Sequence, residues 1–173
     1  MRQINVALVL LFVSSPAFAQ AAGAGSATAD SFADTFSQTL LKVVEASESG
    51  FRSIKGPSNP ASNGEAWFST LSLPTARECV VWIYRDHSLG RQYSCDFGRT
   101  FDLGEAQKGY EQALKVVTQS LAGWSKSENA RRSSKIISKA EFSRGSSGPS
   151  VILRLVNHGV HGYLLYVDVN PSE

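Results

Sequence analysis

The chain has little of what marks the easily recognised functional classes. It holds two cysteines, three histidines and one methionine in 173 residues. There is no second thiol pair, and no His lies at metal-ligand spacing from either Cys, so the cysteines do not read as a metal site. Acid and base nearly balance, with 17 Lys and Arg against 15 Asp and Glu, so there is no strong positive field to draw nucleic acid. Gly145-Ser146-Ser147-Gly148-Pro149 lacks the Lys and the following helix that a phosphate cradle needs. Nothing has the Gly-x-Ser-x-Gly form of a nucleophile elbow. Asp86, His87 and Ser88 are the residue types of a hydrolytic triad. As consecutive residues they point apart, whereas a triad needs them in one line of hydrogen bonds. No cofactor is implied, and no catalytic set stands out.

What is present begins with a leader. Arg2 is followed by an apolar run over residues 4–13, broken by Ser14, Ser15 and Pro16. Ala17-Phe18-Ala19 then offers small residues at the two positions a signal peptidase reads. The run is about half the roughly 20 residues that span a bilayer as a helix. No Cys lies near the cut, which excludes acylation at a new N-terminus. The expectation is therefore a signal peptide over residues 1–19 and release to the periplasm or the extracellular space. Removal takes away only Arg2 among the charges and leaves 16 basic and 15 acidic residues. Residues 20–30 are small and uncharged up to Ala29 and read as a flexible tether. Residues 31–173 then form a single domain.

Cys79 and Cys95 are an even pair in an exported chain, which is first read as a disulfide. The geometry of a hairpin agrees. Residues 85–90 are turn-like and separate two alternating runs, 79–84 and 91–97. A hairpin centred near His87 sets Cys79 opposite Cys95, close enough to bridge.

Two helices are expected. Phe32, Phe36, Leu40, Val43 and Val44 recur at helical spacing after Ser31, which makes a capping box with Asp34. Gly50 ends this helix in the left-handed position, and Phe51 folds back onto its last turn. Asp102 and Glu105 make a second capping box, and Gly123-Trp124 repeats the ending. Strands are read over 67–73, 79–84, 91–97, 135–142, 151–157 and 163–169. The last is apolar on nearly both sides and so is placed centrally. The fold class is α+β in the order αβββαβββ, with both helices on one face of an antiparallel sheet of about six strands. The near-constant offset between halves, 72 residues from Cys79 to Val151 and from Phe97 to Val169, raises an internal duplication.

Three surfaces are candidates for function. On the hairpin, Cys79, Val81, Ile83, Tyr93, Cys95 and Phe97 share one side, which is the better core face. Trp82, Tyr84, Gln92 and Ser94 share the other. With helices covering only the disulfide side, these aromatics lie on a sheet surface, and large surface aromatics mark binding sites. The competing reading is that another element covers them or that theirs is the true core face. The second surface is the basic stretch Lys126, Arg131, Arg132, Lys135, Lys139 and Arg144, set against Glu128 and Glu141. It suits an anionic surface or simple solvation. The third is His158 and His161 around Gly159-Val160, which lack the further ligands a metal site needs.

The expectation for function is a non-catalytic binding or accessory protein of the envelope or secretome. Its partner would be another exported protein, a peptide or a small ligand. The alternatives are an envelope-acting hydrolase whose groups assemble only in the fold, and attachment to anionic surfaces through the basic stretch. Intact-mass analysis of the chain from its native compartment, without reductant, tests the leader and the disulfide together. A chain beginning at Gln20 and lacking two thiol hydrogens is expected; an uncut chain with free thiols contradicts both.

Overall fold

The computed structural model describes residues 24–62, 65–84, 90–128 and 135–172. The leader, the first part of the tether, the Asp86-His87-Ser88 turn, Arg131 and Arg132 lie outside the described residues.

Helix α1 spans Ala24–Glu48, beginning seven residues ahead of Ser31. Ala24, Ala27 and Ala29 are the best helix formers and no proline interrupts them, so the helix runs past the expected cap. Ser31 instead acts as mid-helix backbone, its carbonyl accepting from Thr35 Oγ1 at 2.8 Å. The far end is as expected. Gly50 takes φ 64°, its N–H donating to the Ser47 carbonyl at 2.9 Å and that of Phe51 to the Ala46 carbonyl at 2.8 Å. Phe51 is wholly buried, its ring 6.3 Å from that of Tyr93.

The strands are β1 (Lys55–Ser58), β2 (Ala66–Ser69), β3 (Glu78–Ile83), β4 (Arg91–Thr100), then, after helix α2 (Leu103–Ser120), β5 (Ser125–Glu128), β6 (Ile136–Ser143), β7 (Ser150–Asn157) and β8 (Tyr163–Asn170). Asp102 caps α2, its carboxylate accepting from the Glu105 N–H at 2.8 Å. The Glu105 side chain bonds Thr100 Oγ1 instead of closing the box.

The sheet has eight strands, not six, and the order is αββββαββββ. The two additional strands, Lys-Gly-Pro-Ser and Ser-Lys-Ser-Glu, are the sheet's outer edges and carry no apolar alternation. A proline and charges at an edge block further pairing, and that chemistry hides such strands from a hydrophobic pattern. The expected strand over 67–73 is shorter, ending at Ser69. Beyond it the Leu71 carbonyl accepts from the Tyr93 hydroxyl at 3.0 Å, and Leu73 enters the core.

All pairs are antiparallel, in the spatial order β1-β2-β3-β4-β8-β7-β6-β5. Each half is one helix followed by a four-stranded meander, and the final strands of the halves meet in the middle. This gives β8 its central place. The hairpin register is the one the sequence predicts: Cys79 faces Cys95, with Val81 opposite Tyr93 and Trp82 opposite Gln92. The disulfide joins Cys79 to Cys95 across Cα atoms 4.1 Å apart.

Because side chains alternate, this register sends two rows to one side. One is Val81, Tyr93, Val169, Val151 and Phe142; the other is Cys79, Cys95, Val167, Leu153 and Ala140. All ten are buried. Phe36, Leu40 and Val43 of α1 and Ala106, Tyr110 and Val117 of α2 join the same core. The helices touch through Ser37 Oγ and Ser120 Oγ at 2.6 Å. Both helices therefore cover the disulfide face, as expected.

Two outcomes follow from this core. Burial raises the Tyr93 phenol pKa, and burial followed by the nearby Glu128 raises that of Tyr110 to about 12. The neutral phenols favour the fold fully below the unfolded value near pH 10. That contribution falls as the pH climbs toward 12, so urea midpoints are expected to drop over this interval. A flat profile there contradicts the packing. Replacing both cysteines by Ala opens a 16-residue separation and is expected to lower stability by about 3 kcal/mol. An unchanged urea midpoint would show that the crosslink constrains nothing.

Candidate functional site

The same alternation sends a second set of side chains to the face turned away from the helices. Three rows cross it. Trp82, Gln92, Asn170 and Ser150 form the first; Val80, Ser94, Asp168 and Ile152 the second; Glu78, Asp96, Tyr166, Arg154 and Lys139 the third. Trp82, Gln92, Val80, Ser94, Glu78, Asp96, Tyr166 and Arg154 of these rows line a concavity of about 610 Å³, together with Tyr84, Lys135, Ile136, Val156 and His158.

The four residues singled out on the hairpin, Trp82, Tyr84, Gln92 and Ser94, all line this groove. Trp82 and Tyr84 are half-buried and stacked on each other, with centroids 5.9 Å apart and planes 9° from parallel. Offset stacking of this kind fixes the two rings as one wall. Gln92 donates through Nε2 to Asn170 Oδ1 at 3.3 Å, and Asn170 donates through Nδ2 to Ser150 Oγ at 3.2 Å.

The floor holds a charged network. Asp168 is 1% exposed and sits in β8 among apolar neighbours. It accepts from Ser94 Oγ at 2.6 Å and from Arg154 Nε at 2.5 Å. A carboxylate taken out of water requires such partners. The Arg154 guanidinium lies over the Tyr166 ring, 4.9 Å from its centroid, a cation–π arrangement that fixes its plane. The His158 ring lies beside that of Tyr166, with centroids 6.2 Å apart. Among the described residues no buried side-chain nitrogen or oxygen lacks a partner. Burial raises the Tyr84 phenol pKa, helped by Asp168, and burial followed by Asp96 raises that of Tyr166.

Arg154 and Asp168 were not among the residues the sequence pattern marked. Each is a lone charge within an otherwise apolar run, Val-Ile-Leu-Arg-Leu-Val and Tyr-Val-Asp-Val. A charge in a central strand demands a buried partner, and that was the available signal.

The other candidates are not gathered into sites. Among the described members of the basic stretch, Lys126 is on the helix-side row opposite Phe142 and pairs with Glu128 at 2.5 Å. Lys139 is on the open face and pairs with Glu141 at 2.8 Å. Lys135 lines the groove, and Arg144 is exposed in the following turn. Lys135 and Lys139 share the open face, whereas Lys126 lies on the helix side and Arg144 in a turn, so the four form no single basic surface. His158 precedes and His161 ends a 3-10 turn over Gly159–His161, in place of a two-residue turn. Among the described residues no three His, Cys, Asp or Glu side chains converge as a metal site. Nor is any described helix long and apolar enough to cross a membrane.

Comparison with protein-family models, with curated proteins and with solved structures gives no match.

Arg154→Met leaves Asp168 buried with only Ser94 as partner. The expected loss in urea unfolding is about 3 kcal/mol, while Glu78→Gln at the exposed rim stays within about 0.5 kcal/mol. Equal effects of the two would mean that the floor network does not hold the central strands.

Proposed function

We propose that this is an exported, non-catalytic binding protein whose ligand seats in the groove on the open face of the sheet. The observation that carries the reading is the convergence of Trp82, Tyr84, Gln92 and Ser94 with Arg154 and Tyr166 around one concavity. Pockets of several hundred Å³ with aromatic walls and a few placed polar groups are the usual form of small-molecule sites. The leader pattern supports export, and the Cys79–Cys95 disulfide suits an oxidising compartment. The matching helix-then-meander halves support a duplicated αββββ unit, with the groove astride the junction of the copies.

The hydrolase reading draws support from the Ser94–Asp168 hydrogen bond. Ser94 is only 8% exposed, however, so its oxygen has poor access to a scissile bond. Attachment to anionic surfaces is the weaker reading, since the described basic residues divide between faces.

The test is ligand-detected NMR of the purified protein against fractionated small molecules and peptides from its own compartment. The wild-type chain is expected to retain at least one component that Trp82→Ala, with an unchanged circular dichroism spectrum, releases. Equal retention by Trp82→Ala, or none by the wild type, rejects the reading.

A further inference from the structure

Resting on the groove as the binding site, we propose the class of ligand it takes: a small molecule with a carboxylate or phosphate group on the outer edge of Arg154 and a planar or apolar ring against the Trp82–Tyr84 wall.

A guanidinium has five N–H donors in one planar fork. Arg154 uses its Nε edge on Asp168, and among the described residues no other acceptor bonds it. Its side chain is 34% exposed although it belongs to a central strand. Asp168 holds one edge of the fork and Tyr166 its plane. The remaining donors are thus fixed in direction before any ligand arrives. A preorganised fork of this kind suits bidentate capture of carboxylate or phosphate.

The surrounding charges nearly cancel, Arg154 and Lys135 standing against Glu78, Asp96 and the buried Asp168, so selection rests on directed donors and not on net field. Lys135 adds a second cation to the same groove. Of the acids across from it, Asp96 turns one carboxylate oxygen to the Gly98 N–H at 2.7 Å, and Glu78 is exposed at the rim. Buried Asp168 offsets the charge of Arg154 and leaves its hydrogen-bonding edge available. An anion there meets directed donors without a large net field, which favours a small, defined ligand over a broad polyanionic surface.

The wall and the fork belong to one cavity, which Trp82, Tyr84 and Arg154 all line.

The experiment titrates 3-phenylpropionate and phenyl phosphate, with 3-phenylpropionamide as the neutral control, into the 15N-labelled oxidised protein. At least one anion is expected to shift the Trp82 indole N–H, and the amide to bind roughly tenfold or more weakly, the scale of a charge-assisted pair. The anion that binds identifies the group as carboxylate or phosphate. Arg154→Lys is expected to weaken binding and Arg154→Met to abolish it. Should Arg154→Met fail to fold, Lys135→Met, expected to weaken only the anions, takes its place. Equal binding of amide and anion overturns the anionic class while leaving the groove as a site. Absence of any groove shift with either anion also overturns it. The groove reading itself stands or falls separately, on the retention of native components by Trp82→Ala.

Discussion

The pairing of β3 with β4 in a single register is the constraint on which the rest depends. Side chains alternate strictly along a strand, so a slip of one residue would exchange the two faces. With Cys79 opposite Cys95, Val81 and Tyr93 enter the core while Trp82, Gln92 and Ser94 emerge on the far side. The disulfide ties that register covalently. β4 passes it to β8, and β8 to β7. Tyr166 and Arg154 are therefore delivered to the same face as Trp82 by hydrogen-bond pairing alone. Core and groove are two products of one alignment.

The two faces resolve their chemistry differently. The helix side is aliphatic and aromatic and draws its stability from burial. The open side carries an ion pair within the sheet, with Asp168 buried and Arg154 about a third exposed. Such a pair is often no more stabilising than apolar side chains of similar volume. Here Asp168 fixes Arg154, and Arg154 faces the cavity, so the arrangement is more economically explained as positioning than as stability. The edges of the sheet are handled by composition: short strands with a proline on one side and exposed charges on the other discourage pairing with a second chain.

Much of this was legible in the sequence, wherever hydrophobic alternation carries the information. The hairpin register, the disulfide, the Gly50 end of α1, the central place of β8 and the placing of Trp82, Tyr84, Gln92 and Ser94 on the side away from the disulfide follow from pattern and turn chemistry. The edge strands did not, because solvent exposure removes the alternation that reveals a strand. The start of α1 was misplaced because a capping signal at Ser31 competes with upstream alanines, and propensity won. Arg154 and Asp168 were missed because their meaning is pairwise. They are 14 residues apart in the chain, and only the β7–β8 register makes them neighbours.

The central claim is that the open face is a preformed ligand site anchored on Arg154. Its most direct test is a crystallographic fragment soak of the oxidised protein with a chemically mixed library. The account expects hits to concentrate between the Trp82–Tyr84 wall and the outer edge of Arg154, with acidic fragments oriented toward the guanidinium. Hits scattered over the surface, or a groove that stays solvent-filled while other sites are occupied, would contradict it.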